Sequence, residues 1–168
     1  MNTYIRMINQ INTAIKYIVS TMLVFLTILV VLQVTTRFVI NVPLAWTEEI
    51  AKYLMIYIVF FGSGLAMRNN QHIAIDFMVE ILKGKSKVLL EKVILWICGI
   101  FSVFLIYFGS QLTFRVIEQS TPTLQYSMAW AYAAIPLGAL LMFLNIIAAL
   151  IDPHEPKNSI DEMVGDSQ

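Results

Sequence analysis

Residues 37–52 gather Arg37, Trp46, Thr47, Glu48, Glu49 and Lys52 around Pro43, between two long apolar runs. Ionisable groups beside hydrocarbon are costly unless paired, solvated or bound, so two adjacent carboxylates at this place need a reason. Three chemistries fit. As a helix-start cap, a carboxylate gains a few tenths to about 1 kcal/mol from the helix dipole, but one is enough for that. As a recognition pair, Glu48 and Glu49 would meet basic groups on another subunit. As a proton- or cation-coupling site they would belong near mid-membrane on broken helices, whereas they stand at a helix mouth. Recognition by a partner is the preferred reading. Glu48 and Lys52 are four apart, in the favourable order for an ion pair on one helix face. Arg37 can snorkel to the headgroups or reach across the short connection to Glu48 or Glu49, and the pair is favoured. Trp46 suits an interfacial belt, as do Trp130, Tyr126 and Tyr132.

A second group follows at Arg68 and His72, with Asp76, Glu80 and Lys83 continuing a narrow polar stripe at helical spacing. A solvated face is the plain reading of that stripe, and a docking contact the sharper one. Other chemistry is missing. The lone cysteine, Cys98, lies in an apolar run and has no partner for a disulfide or a metal site. There is no phosphate-binding glycine loop, nucleophile elbow or metal-ligand spacing. No metal, cofactor or catalytic residue is expected.

These residues must be positioned by membrane helices. Of 168 residues, 58% are hydrophobic and 13% charged, against roughly 25% charged in a soluble domain, and mean hydropathy is +0.74. The apolar residues collect into long runs, the signature of membrane spans. The expected architecture is an all-α integral membrane protein with four transmembrane helices and one short amphipathic interfacial helix. It forms a single membrane domain over residues 1–152, with a polar cytoplasmic tail at 153–168. The spans are expected near 17–40, 45–67, 88–115 and 126–151, and the interfacial helix at 73–83. The first apolar run, 17–36, is too long for the core of a cleaved signal peptide and reads as a retained span. Residues 1–16 read as a short amphipathic lead-in.

Details inside the spans carry further expectations. Ser20, Thr21, Thr27, Gln33, Thr35 and Thr36 should face other helices, where they can hydrogen-bond. Thr47 is a good N-cap and Pro43 a good first-turn residue, which brackets the start of the second helix. Gly62, Ser63, Gly64 and Ala66 form a small-residue patch suited to close helix contact. Pro136 should kink the last span or leave one carbonyl needing a neighbour.

Charge sets the orientation. Of the eleven Lys and Arg residues, Arg6, Lys16, Arg68, Lys83, Lys85, Lys87, Lys92 and Lys157 fall on one side. Only Arg37, Lys52 and Arg115 fall on the other. Both termini are therefore expected in the cytoplasm, with residues 37–52 facing outward. Net charge is zero, so lipid and other membrane proteins, and not nucleic acid, are the expected partners.

No ionisable residue lies in the middle of any span, which argues against a transporter acting alone and against an intramembrane enzyme. Two rivals remain: a four-helix redox or enzyme subunit binding quinone or haem, and a homo-oligomeric channel. Against haem, no span contains a histidine.

The pattern Arg37-Phe-Val-x-Asn41-x-Pro43-Leu-Ala-Trp46-x-Glu48-Glu49-x-Ala51-x-Tyr53 resembles the signature of the small, DctQ-type membrane subunit of tripartite ATP-independent periplasmic (TRAP) transporters. The resemblance continues through Gly64-x-Ala66-x-Arg68, His72-Ile-x-x-Asp76, Thr121-Pro122-x-Leu124 and Trp130-x-Tyr132-x-x-Ile135-Pro136-Leu-Gly138. It implies a scaffold subunit in a bacterial inner membrane, serving a separate large multi-span subunit that carries the substrate and sodium sites. It also implies a periplasmic binding protein that delivers an organic acid of the C4-dicarboxylate or sialic acid type. Arg37, Trp46, Glu48, Glu49, Arg68, His72 and Asp76 match the family pattern and, with Lys52, are expected as partner or subunit contacts.

Overall fold

A computed structural model describes residues 2–42, 44–68 and 85–151. The interfacial helix expected at 73–83, with His72 and Asp76, and the tail beyond 151 lie outside the described residues, as does Pro43. Among the described residues five α-helices follow one another: α1 (Asn2–Thr35), extended by a π-helical turn (Thr36–Ile40), then α2 (Ala45–Arg68), α3 (Lys85–Arg115), α4 (Ala129–Tyr132) and α5 (Ala134–Ile151). Among the described residues there is no strand, only one isolated bridge between Ser120 and Ser127. Four helical segments are long and apolar enough to cross a membrane, as the all-α reading expects.

The lead-in is not a separate element. Residues 2–16 continue into the first span without a break, because the N-terminal turns have their own packing partners. Ile8 is 1% exposed, and the Tyr4 hydroxyl donates to the Leu144 carbonyl at 3.1 Å. The π turn ends at Asn41, whose φ of 57° lies in the left-handed region, where asparagine is among the few non-glycine residues at ease. The Val42 N–H closes the turn onto the Thr36 carbonyl at 3.1 Å.

Hydroxyls on α1 mostly do not reach other helices. Those of Thr13, Thr21, Thr27 and Thr35 donate to the carbonyl four residues back, at 2.8–2.9 Å. This local bond satisfies a hydroxyl on an exposed surface without a neighbour, so the sequence expectation fails for Thr21, Thr27 and Thr35. Thr36, at 7% exposure, is the member of the set that turns inward.

α2 starts at Ala45, between the two expected markers. Thr47 is therefore not the cap. It sits in the first turn, fully buried, with its hydroxyl donating to the Leu44 carbonyl at 2.7 Å.

The spans stand in a row and do not close into a square bundle. α1 lies on α2, α2 on α5, and α5 on α3, and the N-terminal turns of α1 also reach α5. No Cα of α3 comes within 8 Å of one in α1 or α2 among the described residues. α5 is the inner member. Half of its most apolar window is buried, against 6% for α1 and 17% for each of α2 and α3.

Glycines permit the close approaches. A Cβ on Gly138 would stand 2.5 Å from Phe60 Cβ and 2.8 Å from the Phe60 carbonyl carbon. One on Gly64 would meet the Leu141 side chain at 2.8 Å, and one on Gly109 would meet Ile135 at 2.8 Å. The expected small-residue patch is thus narrower than it reads. Gly64 packs tightly, Gly62 faces open space and Ser63 is exposed. Pro136 acts at a helix start. The helical run is interrupted at Ala133, and the proline falls in the first turn of α5, where its missing N–H costs nothing. The neighbouring α4 is held to α2 by the Tyr57 hydroxyl, which donates to the Trp130 carbonyl at 2.6 Å.

Candidate functional site

Two polar clusters stand at opposite ends of the row. The first is at the loop end, where α1 joins α2 and α3 joins α4. Glu48 faces out and takes the Lys52 ammonium at 2.7 Å, the pair that their spacing predicts. Glu49, one residue on, turns inward and is 7% exposed. Its Oε2 accepts the backbone N–H of Thr123 at 2.8 Å. The fully buried Thr121 hydroxyl lies beside the same carboxylate. Neither that hydroxyl nor Glu49 Oε1 reaches hydrogen-bond geometry with any partner in the described structure.

Glu49 thereby ties the start of α2 to the loop at residues 119–128. The loop is shaped by its own bonds, from Thr121 N–H to the Tyr126 carbonyl and from Met128 N–H to the Gln119 carbonyl, both 2.8 Å. Gln125, with φ of 57°, makes the turn. Tyr126 closes against Tyr53 of α2 edge to face, ring centres 5.9 Å apart.

Arg37 is exposed and makes no ion pair among the described residues. The expected pairing with Glu48 or Glu49 does not form because Lys52 holds the first carboxylate and Thr123 the second. The guanidinium instead lies 5.8 Å from the centre of the Phe38 ring. Trp46 is 40% exposed, beside Glu48. Arg37, Trp46, Glu48 and Lys52 thus form an accessible group, and Glu49 is not part of it.

The second cluster is at the terminus end, and most of it is not signalled by charge. Asn145 of α5, fully buried, exchanges two amide hydrogen bonds with Asn12 of α1 at 2.7 and 3.0 Å. It also donates to the Gly64 carbonyl of α2 at 2.9 Å. Arg68, only 4% exposed, donates through Nε to Asn9 Oδ1 at 3.2 Å. Three helices are pinned together here. The available sign was Asn145 itself, a lone amide inside an apolar run, which in a membrane helix marks an interhelical bond.

Neither cluster offers a nucleophile with a base, nor, among the described residues, a group of three or more metal-ligating side chains. A family profile, the DctQ component of tripartite ATP-independent periplasmic transporters, matches residues 26–154. The chain belongs to this family. That DctQ family is a transporter component, not a family of enzymes. A protein of Haemophilus influenzae (strain ATCC 51907 / DSM 11121 / KW20 / Rd), assigned as a TRAP transporter small permease protein, is 30% identical over 142 residues. That match covers 84% of this chain and 88% of the relative. The small permease protein SiaQ of a Vibrio cholerae sialic acid TRAP transporter is 27% identical, covering 79% of this chain and 80% of the relative. The sialic acid TRAP transporter permease protein SiaT of Haemophilus influenzae (strain 86-028NP) is 28% identical over 140 residues. There the match covers 83% of this chain, which spans only 23% of SiaT's length. This DctQ-family chain is thus a multi-pass membrane protein of a TRAP transporter, of small-permease type.

Proposed function

We propose that this chain is a non-catalytic scaffold subunit, working beside a separate large membrane subunit in a sodium-coupled importer of an organic acid. One observation carries this reading. The middle of each span holds no Asp, Glu, Lys, Arg or His, while the buried polar groups at the two ends are spent on holding helices and loops to one another. A chain that itself moved a charged solute would need polar groups at mid-depth. A soluble periplasmic binding protein would deliver the solute, and the carboxylate-bearing class named for SiaT and SiaQ is the first to try. Sodium sites and substrate contacts are assigned to the large subunit, and no cofactor is assigned to this chain.

The proposed orientation in the bacterial inner membrane puts both termini in the cytoplasm and the loop end in the periplasm. Arg37, Trp46, Glu48 and Lys52 are then placed to meet the binding protein or the outer rim of the large subunit. His72 and Asp76 are assigned to contacts on the cytoplasmic side, whereas the buried Arg68, expected as a partner contact, is assigned to holding α2 to α1.

The test is purification of a tagged copy from its native membrane in mild detergent, followed by reconstitution of the co-purifying chains. A stoichiometric multi-span partner, with uptake that requires both the binding protein and a sodium gradient, is the expected result. A chain that purifies alone, as a homo-oligomer or with a chromophore, would sink the proposal and revive the channel or redox alternative.

A further inference from the structure

Glu48 and Glu49 look like one site in the sequence, and the structure separates them. Adjacent positions on an α-helix point about 100° apart, so when Glu48 faces outward Glu49 is carried round toward the protein. A carboxylate that recognises a partner must be reachable. Glu48 is, and Glu49, at 7% exposure with an oxygen on the Thr123 amide, is not.

The geometry points to Glu49 as a positioning residue. It holds the 119–128 loop in place on α2, so that the exposed loop tip at residues 122–125 is presented at the same end as Glu48, as one docking surface for the soluble binding protein. This rests on the docking role proposed above for the loop end.

The loop's internal bonds give it a shape but not a place. Thr121 to Tyr126, Met128 to Gln119, and the Gln125 amide donating to the Pro122 carbonyl at 3.1 Å are all local. Attachment to α2 comes from Glu49, which crosses 74 positions in sequence to reach Thr123, and from the Tyr53–Tyr126 edge contact. What Glu49 supplies is an acceptor oxygen at a defined reach. Its negative charge is secondary, because the group it meets is a neutral backbone amide.

Two variants separate reach from charge. Glu49→Gln keeps an acceptor oxygen at the same distance and removes the charge. Glu49→Asp keeps the charge and is one methylene too short. In the purified complex with its large subunit, reconstituted in vesicles, uptake is followed as the binding protein is titrated. Glu49→Gln should need nearly the wild-type concentration for half-maximal uptake. Glu49→Asp, like Glu49→Ala, should need about fivefold more, the worth of one hydrogen bond, with complex yield and maximal rate held. The reverse order, with Asp normal and Gln impaired, overturns the inference in favour of charge recognition. Loss of the complex in both variants also overturns it, because Glu49 would then serve assembly and not presentation. Unchanged titrations in all three variants overturn it as well. If the unmodified chain brings down no large subunit, or uptake ignores the binding protein, the proposed function itself has failed, before any variant is compared.

Discussion

Asn145 is a single amide serving three helices. Its carbonyl accepts from Asn12, and its NH2 donates to Asn12 and to the Gly64 carbonyl. Interhelical hydrogen bonds in membranes average about 0.6 kcal/mol and reach about 1.7, and removing one partner strands the other. Asn145→Leu, close in volume, should therefore destabilise the protein by about 1–2 kcal/mol, read as a shift in detergent-titrated unfolding. Asn12→Leu in addition should cost little more, since its partner is already gone. Glu48→Ala should leave unfolding unchanged, because the Glu48–Lys52 pair is exposed on both sides. Its effect should appear only in the binding-protein dependence of uptake. At this scale the sequence was partly legible. The Glu48–Lys52 pair follows from spacing alone. The inward turn of Glu49 follows once the helix start is known, but the Thr123 amide it meets cannot be read locally. That amide is supplied by a loop distant in the chain, and only the folded row brings the two together.

α2 and α5 touch through backbone-close contacts, and their glycines differ sharply. Gly138→Ala would push a methyl group to 2.5 Å from Phe60 Cβ and 2.8 Å from its backbone carbon. Backbone cannot yield as a flexible side chain can, so overpacking should cost about 1–3 kcal/mol. Gly62→Ala meets nothing within 4 Å and should be neutral or stabilising, by up to about 1 kcal/mol from helix propensity. Thermal unfolding of the two variants side by side checks the contrast, and equal losses would contradict the α2–α5 packing. From the sequence, Gly62 and Gly64 look alike, because helical register decides which one faces α5. The four apolar runs were plain in the sequence, since burial in lipid demands about 20 apolar residues whatever the neighbours. The continuation of α1 back to Asn2 was not. It depends on Tyr4, Asn9 and Asn12 finding α2 and α5, which is tertiary information.

The row leaves most of α1 and the outward side of α3 without protein cover. Phe25, Ile28 and Val31 on α1, and Trp96, Phe101 and Phe104 on α3, are each about half exposed or more, and lipid or a partner subunit must cover them. The proposed orientation can be checked on the same whole-molecule scale. In a chain with Cys98 replaced by serine, a cysteine at exposed position 124 should react with a membrane-impermeant maleimide from the periplasmic side. One at exposed position 6 should react only after the cells are opened. The opposite pattern would invert the arrangement.

The hydrogen-bonded pair Asn12–Asn145 marks one height across the row, and Ile146 carries that height to Gly99 on α3. From this height Lys16 stands four residues nearer the loop end, while Lys92 stands seven residues the other way. At 1.5 Å per residue the two charges are staggered by about 16 Å. At the far ends, Arg37 and Arg115 are staggered by about 13 Å in the same sense. α1 and α3 lie on opposite sides of the α2–α5 pair. The boundaries of the oily belt therefore slope across the row. Levelling them with a bilayer makes the helices lean in the plane of the row, as membrane helices commonly do. This protein does not stand upright in its membrane like a fence post. It slants like an italic letter, and any subunit that lies along its face must slant with it or cross it.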